Sequence, residues 1–195
     1  MFTPKPITLK TDKVTLCPLT MEHLDDFYQA GSFPELWSWV LPNQCTSKEQ
    51  SKTWLTHLAI LVEQKLHIVF AIFDNKSGEL VGSTQFCAIN RDDRSLEIGF
   101  TFITPKYQRT YINTHTKYCL LNHAFEELGA IRVQFKTHES NQKSRNAIGR
   151  LGAKFEGILR NQRILPDGRF RNTAMYSIIE SEWSAIKQQL NEKIK

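Results

Sequence analysis

The sequence is poor in the features that would point to several familiar chemistries. Its only cysteines, Cys17, Cys45, Cys87 and Cys119, are scattered without the spacing of a metal knuckle or a redox motif. Reduced thiols are the simplest reading, with Cys87 and Cys119 behaving as small buried hydrophobes rather than as nucleophiles. The histidines at 23, 57, 67, 115, 123 and 138 show no zinc-ligand spacing either, so no metal is expected. Long apolar runs are missing: Leu58–Val62 and Ile68–Phe73 are far too short to span a bilayer, and no membrane association is expected. "MFTPKPITLK" never opens into the apolar stretch of a secretory leader, which makes a cytoplasmic location the expectation. Internal repeats, low-complexity tracts and linkers are absent. One domain over residues 1–195 is expected, closed by a C-terminal helix at 182–195.

Two further scarcities are local. Between Ile103 and Lys117, "ITPKYQRTYINTHTK" passes from a strand-like run into a helical pattern without one glycine. Such a corner is a usual place for a phosphate cradle. From Lys143 to Arg171, acids are nearly missing: eight Lys or Arg face only Glu156 and Asp167. That segment carries +6 when the whole chain carries +5, so the remainder is close to neutral. A local positive excess suits a phosphorylated cofactor, RNA or an acidic partner. A solvated face without a partner explains it equally well.

What is present is a clear alternation of periods. Val14–Leu19 reads as a strand, and Thr20 as the cap of a helix over Met21–Ala30. Thr46-Ser-Lys-Glu and Ser47-Lys-Glu-Gln both match a capping box, which predicts a second helix running to about Gln64. His67–Phe73, Leu80–Ile89 and Leu96–Ile103 are rich in β-branched and aromatic residues and are separated by turn-like clusters, as three antiparallel strands should be. From Thr114 a helical stripe of Tyr118, Leu121, Phe125 and Leu128 ends at Gly129. Strand 131–136 alternates apolar Ile131, Val133 and Phe135 with polar Arg132, Gln134 and Lys136. A short helix over Asn141–Leu151 follows, then a hairpin of 155–165 and 170–179 around Pro166-Asp-Gly168, and the closing helix. The class is α/β (α+β). Helix 114–128 between two strands is a crossover, so part of the mixed sheet must be parallel.

The stretch "LEIGFTFITPKYQRTYINTHTKYCLLNHAFEELGAIRVQFKTHESNQKSRNAIGRLGAKFEGILR" resembles the core of a GNAT-superfamily N-acetyltransferase. "HAFEELGAIRVQFKT" and "NQKSRNAIGRLGAKFEG" carry the likeness most specifically, and "PELWSWVLP" is similar to the branch that acetylates N-terminal amines of ribosomal proteins. The resemblance implies a GNAT-like fold: about seven strands, with the middle ones splayed to admit acetyl-CoA. It implies backbone contacts to the pantetheine arm from Phe102 and Ile103, and a diphosphate loop formed by Gln108, Arg109, Thr110, Tyr111, Ile112, Asn113 and Thr114. The family pattern there is Gln/Arg-x-x-Gly-x-Gly/Ala. Here Tyr111 and Asn113 stand in place of the small residues, so the helix tip itself must supply the free N–H groups. Lys106, Arg109 and Lys117 are expected to add positive potential. Asn141 corresponds to a pantetheine-contacting asparagine and is also a good helix cap.

Acetyl transfer from a thioester to an amine needs a neutral amine, a donor for the oxyanion and a proton for the departing thiolate. Glu97, between apolar neighbours in "SLEIGF", is the candidate base, with a structural ion pair as the plainer alternative. The N–H of Ile103 is the simplest oxyanion donor. The tyrosine that many superfamily members use as acid corresponds to Ile148 here, and Ser144 is the nearest substitute. Trp37 and Trp39 are candidates for the acceptor pocket, or for plain core packing. The expected activity is transfer of acetyl from acetyl-CoA to a protein N-terminus or a small-molecule amine. A CoA-binding sensor without turnover and, less favoured, an RNA-associated basic protein remain the alternatives. Oligomeric state is not readable, and a homodimer stays open.

Overall fold

The computed structural model describes residues 2–39, 42–165 and 167–194. Val40 and Leu41 of the tryptophan-bearing stretch, and Pro166 of the expected hairpin turn, lie outside the described residues. The chain forms β1 (Leu9–Lys10), β2 (Val14–Pro18), α1 (Leu24–Gly31), α2 (Lys48–Glu63), β3 (Ile68–Asp74), β4 (Leu80–Asn90), β5 (Ser95–Ile103), α3 (Ile112–Asn122), β6 (Arg132–His138), α4 (Gln142–Arg150), β7 (Lys154–Ile164), β8 (Phe170–Ile179) and α5 (Glu180–Ile194). Eight strands rather than seven share one sheet, in the order β1-β2-β3-β4-β5-β6-β8-β7. The additional strand is the two-residue β1, too short to show a period.

Local chemistry sets most boundaries. Ser47 caps α2 by accepting the N–H of Gln50 at 3.1 Å, half of the expected capping box. Asn141 caps α4 in the same way through the N–H of Ser144 at 3.0 Å. The helix expected from Thr114 starts earlier, at Ile112, and finishes in a π turn over His123–Glu127. Gly129 then turns the chain at φ +70°, a conformation that costs glycine little.

Strand β3 is buried along almost its whole length, because helices cover both faces of the sheet. On one face, α3, α4 and α5 pack Ile112, Leu120, Ile148 and Trp183 against Leu96, Ile98, Val133 and Phe135. On the other, α1 and α2 pack Phe27, Leu55 and Leu58 against Val69, Ala71 and Phe102. Strand alternation therefore sends Glu97 and Lys136 to the α1/α2 face, since their neighbours Leu96, Ile98 and Phe135 belong to the opposite core.

The sheet is split in its middle. Strands β5 and β6 run parallel but pair over only three positions, Ser95 with Arg132, Leu96 with Val133 and Glu97 with Gln134. Beyond Glu97 they part, and residues 98–103 have no strand partner on that side among the described residues. A bulge beside Phe100, whose φ is +50°, bends β5 further. The splayed middle expected from the resemblance is therefore present.

Candidate active site

The wedge between β5 and β6 has a backbone wall with unused donors. Thr104 donates its N–H to Val81 on β4 at 2.8 Å, so alternation turns the N–H and C=O of Ile103 toward the wedge. The carbonyl of Ile103 is taken by the Gln108 side-chain amide at 2.8 Å, and the Gln108 carbonyl oxygen accepts from Lys143 on α4. Gln108 thus ties the end of β5 to the first turn of α4 across the mouth of the gap. The Ile103 N–H has no protein partner among the described residues, and a backbone donor in such a place calls for one.

At the wide end of the wedge stands the start of α3. Its N-cap is Tyr111, with φ −66° and no side-chain capping bond, in contrast to α2 and α4. The Thr110 hydroxyl takes the Ile112 N–H at 3.4 Å, and no bond to the next two N–H groups of α3 is made among the described residues, with the positive end of the helix dipole behind them. Tyr111 does not cover this tip. Its hydroxyl donates to Asp74 at 2.6 Å at the end of β3, and its ring meets His115 edge-on at 5.9 Å. That bond holds the Tyr111 hydroxyl up to about 12. Burial alone would raise the Asp74 carboxyl, but donors from Tyr111, Ser77 and the turn backbone leave it lowered. The left-handed residue of the loop is Arg109, at φ +63°.

The expected cluster of supplementary cations is only partly assembled. Lys106 is spent on Glu79 at 2.7 Å. Lys117 points inward, not to the tip: it is 6% exposed and its ammonium donates to Thr101 at 2.7 Å. Helix phase decides this, because Lys117 shares the buried face of α3 with Leu120 and Leu121. Burial pushes its pKa down to about 7. Arg109 keeps no ion pair among the described residues.

On the α1/α2 face of the wedge, Glu97 is buried and in an ion pair with Lys136 at 2.9 Å. The carboxylate fits there because position 99 is glycine: a Cβ on Gly99 would sit 3.0 Å from Glu97 Oε1. Burial and the Glu97 charge push the neighbouring Cys87 thiol up to about 12, and burial does the same to Cys119, so neither is a ready nucleophile. His67 bonds Gln85 at 2.7 Å and lies 6.2 Å from the Phe100 ring.

Trp39 is 41% exposed and packs on His138 at 4.8 Å, at the open end of the same face. Trp37, by contrast, is buried. Its indole N–H donates to Gly31 at 2.7 Å and its ring lies 5.4 Å from that of Phe102. Asn141 caps α4 through its amide oxygen, and its NH2 has no partner among the described residues. Ser144, one turn on, is half-buried with no hydroxyl partner among the described residues. Ile148 is packed into the core, which leaves no acid at that position.

Lys136, His138, Arg163 and Arg171 were not singled out from the sequence, although the polar alternation of strand 131–136 and the basic Lys143–Arg171 run contained the signal. That run does not form one free basic face. Lys154 pairs with Glu182, Arg169 with Asp167, and Arg145 donates to the Tyr176 hydroxyl.

Comparison with known proteins agrees with this geometry. The acetyltransferase (GNAT) domain family matches residues 13–154. The chain is 26% identical over 172 residues to YoaA, an uncharacterized N-acetyltransferase of Bacillus subtilis (strain 168), covering 88% of this chain and 96% of that protein. Among solved structures it is similar to a GCN5-related N-acetyltransferase from Brucella melitensis, with a TM-score of 0.92, 27% identity, and coverage of 99% of this chain and 87% of that one. RimL, a ribosomal L7/L12 α-N-protein acetyltransferase solved with coenzyme A, shares the fold at a TM-score of 0.77 and 20% identity, over 89% of this chain and 98% of its own.

Proposed function

The chain belongs to the GNAT acetyltransferase family, and from that premise we propose that it is a cytoplasmic enzyme moving an acetyl group from acetyl-CoA to a primary amine. The observation that carries the reading is the parting of β5 and β6 after three paired positions, beside an uncapped helix start. Ile103 offers its N–H in that gap, its carbonyl being held by Gln108, whereas alternation turns the backbone groups of Phe102, also expected at a pantetheine arm, toward β4. The loop from Gln108 to Thr114 offers the α3 N–H groups to a diphosphate, with Arg109 beside them. The free amide of Asn141 faces the remaining side. Bound acetyl-CoA supplies an activated acetyl thioester.

Glu97 takes the proton from the attacking amine, directly or through one water, and Lys136 balances its charge between turnovers. The N–H of Ile103 steadies negative charge developing on the acetyl oxygen. Ser144, whose hydroxyl has no partner among the described residues, returns a proton to the departing sulfur. Trp39 lies on the acceptor side. Trp37 supports that side from behind, through Phe102. An α-amine, with a pKa of about 7.7–8.0, needs far less help losing its proton than a lysine at about 10.4. A protein N-terminus therefore suits one modest base.

Glu97→Gln tests this. Expected is a fall in kcat on the order of 10²-fold with acetyl-CoA affinity, read by calorimetry, within two-fold of native. A variant that turns over like the native protein removes Glu97 from the chemistry. Failure of the native protein to bind acetyl-CoA removes the whole reading.

A further inference from the structure

The acceptor side of the wedge carries more positive charge than its own acids can balance. Strands β7 and β8 pair with Arg163 directly opposite Arg171. Like charges facing each other across an antiparallel pair are destabilising. Neither arginine has a carboxylate partner among the described residues. The Nε of Arg171 is buried without a hydrogen-bond partner, a costly arrangement for a guanidinium.

Both arginines reach the wedge. The Arg163 guanidinium lies 6.0 Å from the centre of the Phe100 ring, on the splayed part of β5. Arg171 shares strand parity with Thr173 and Met175, away from the Ala174–Tyr176–Ile178 core. Its field reaches Glu97 on one side and His138 on the other. Burial and the nearby Arg163 lower the Arg171 pKa, and burial followed by Arg171 lowers that of His138. Glu97 is already paired with Lys136. Glu97 is thus shared between Lys136 and the field of Arg171, while the Glu139 charge acts at His138.

We propose that Arg163 and Arg171 form an anion-binding subsite of the acceptor pocket, selecting amines that carry a carboxylate close to the reacting nitrogen. The inference rests on the acetyl-transfer reading and narrows its substrate class. Two guanidiniums with unused donors match a carboxylate in shape as well as in charge. Polyamines and other polycationic amines are disfavoured by the same field. The carboxylate belongs either to a free amino acid or to an acidic side chain just behind a peptide N-terminus.

Paired acceptors separate these sources: alanine against alaninamide, and the amidated tetrapeptide Ser-Glu-Ala-Ala against its Gln and Lys counterparts. Expected is at least a ten-fold higher kcat/KM for the acidic member in one arm, which identifies the source. Arg171→Gln, and separately the exposed Arg163→Gln, should shrink that ratio to within about two-fold with CoA affinity unchanged. Calorimetry of the N-acetylated members with CoA-loaded protein reads the same preference without turnover. Equal or inverted preference in both arms and in binding overturns the proposal, as does an intact ratio in both variants. Loss of CoA affinity in the variants also overturns it, because the arginines would then serve the cofactor phosphates. Acetylation of neutral or basic amines alone defeats this inference and leaves acetyl transfer standing. Charge-selective product binding with no thiol release from acetyl-CoA does the reverse.

Discussion

Lys117 offers a test of the core that needs no knowledge of the acceptor. It is 6% exposed, it donates to Thr101 at 2.7 Å, and Thr101 in turn meets Thr84 at 2.8 Å. No carboxylate pairs with it among the described residues, so its ammonium would be buried without a counter-charge. Burial accordingly pushes its pKa down to about 7, while the unfolded chain titrates near the ordinary lysine value of about 10.4. Between those two values the unfolded state binds the proton and the folded state releases it. Stability must then rise with pH from about 7 to about 10, be complete above the unfolded value, and be lost as pH falls toward 7. The limiting slope is about 1.4 kcal/mol per pH unit, and allowing for half-protonation of the native group, the gain from pH 7 to pH 9 is about 2 kcal/mol. Lys117→Met keeps the apolar stem and removes the titration. Urea unfolding of both proteins at pH 7, 8 and 9 and constant ionic strength gives the double difference, in which other titrating groups cancel. The native protein should gain about 2 kcal/mol relative to the variant across that window. Parallel profiles within about 0.5 kcal/mol would show that Lys117 is solvated or paired in solution, and would refute the buried-amine description.

Two other substitutions probe the wedge from opposite ends. Tyr111→Phe removes the donor that satisfies Asp74 and should cost about 1 kcal/mol in urea unfolding, with CoA affinity unchanged because the hydroxyl faces away from the α3 tip. A several-fold weaker CoA affinity in calorimetry would mean that the ring guards the tip after all. Gly99→Ala places a Cβ 3.0 Å from Glu97 Oε1 and should displace that carboxylate. Steady-state assays should show kcat falling about ten-fold with the acetyl-CoA KM little changed, in line with a positioning role for the empty space. An undiminished kcat would argue that the Glu97 carboxylate is not used where it now lies.

Much of the frame was legible in the chain. Runs of β-branched and aromatic residues between turn clusters marked β3, β4 and β5, and alternation marked β6 with one buried face, while the last hairpin showed through its Pro-Asp-Gly turn, all to within a few residues. Ser47 and Asn141 announced their helices because capping is a local bond between neighbours. The start of α3 was misplaced by two residues for the same reason inverted: no side chain caps it, so no local signal marks it.

The acceptor side was much less legible. The partners of Glu97, Arg163 and Arg171 come from strands far apart in the chain, and no spacing rule connects residue 97 to 136 or 100 to 163. Lys117 read as a surface cation because helical phase says which residues share a face, but not how deep that face is buried. The sequence by itself determined the family and the order of elements apart from the two-residue β1, since these rest on short-range pattern. Tertiary structure alone decided which charges meet. The wedge opens only where β5 leaves β6, and the sign of the field inside it depends on a hairpin folded over from the far end of the sheet.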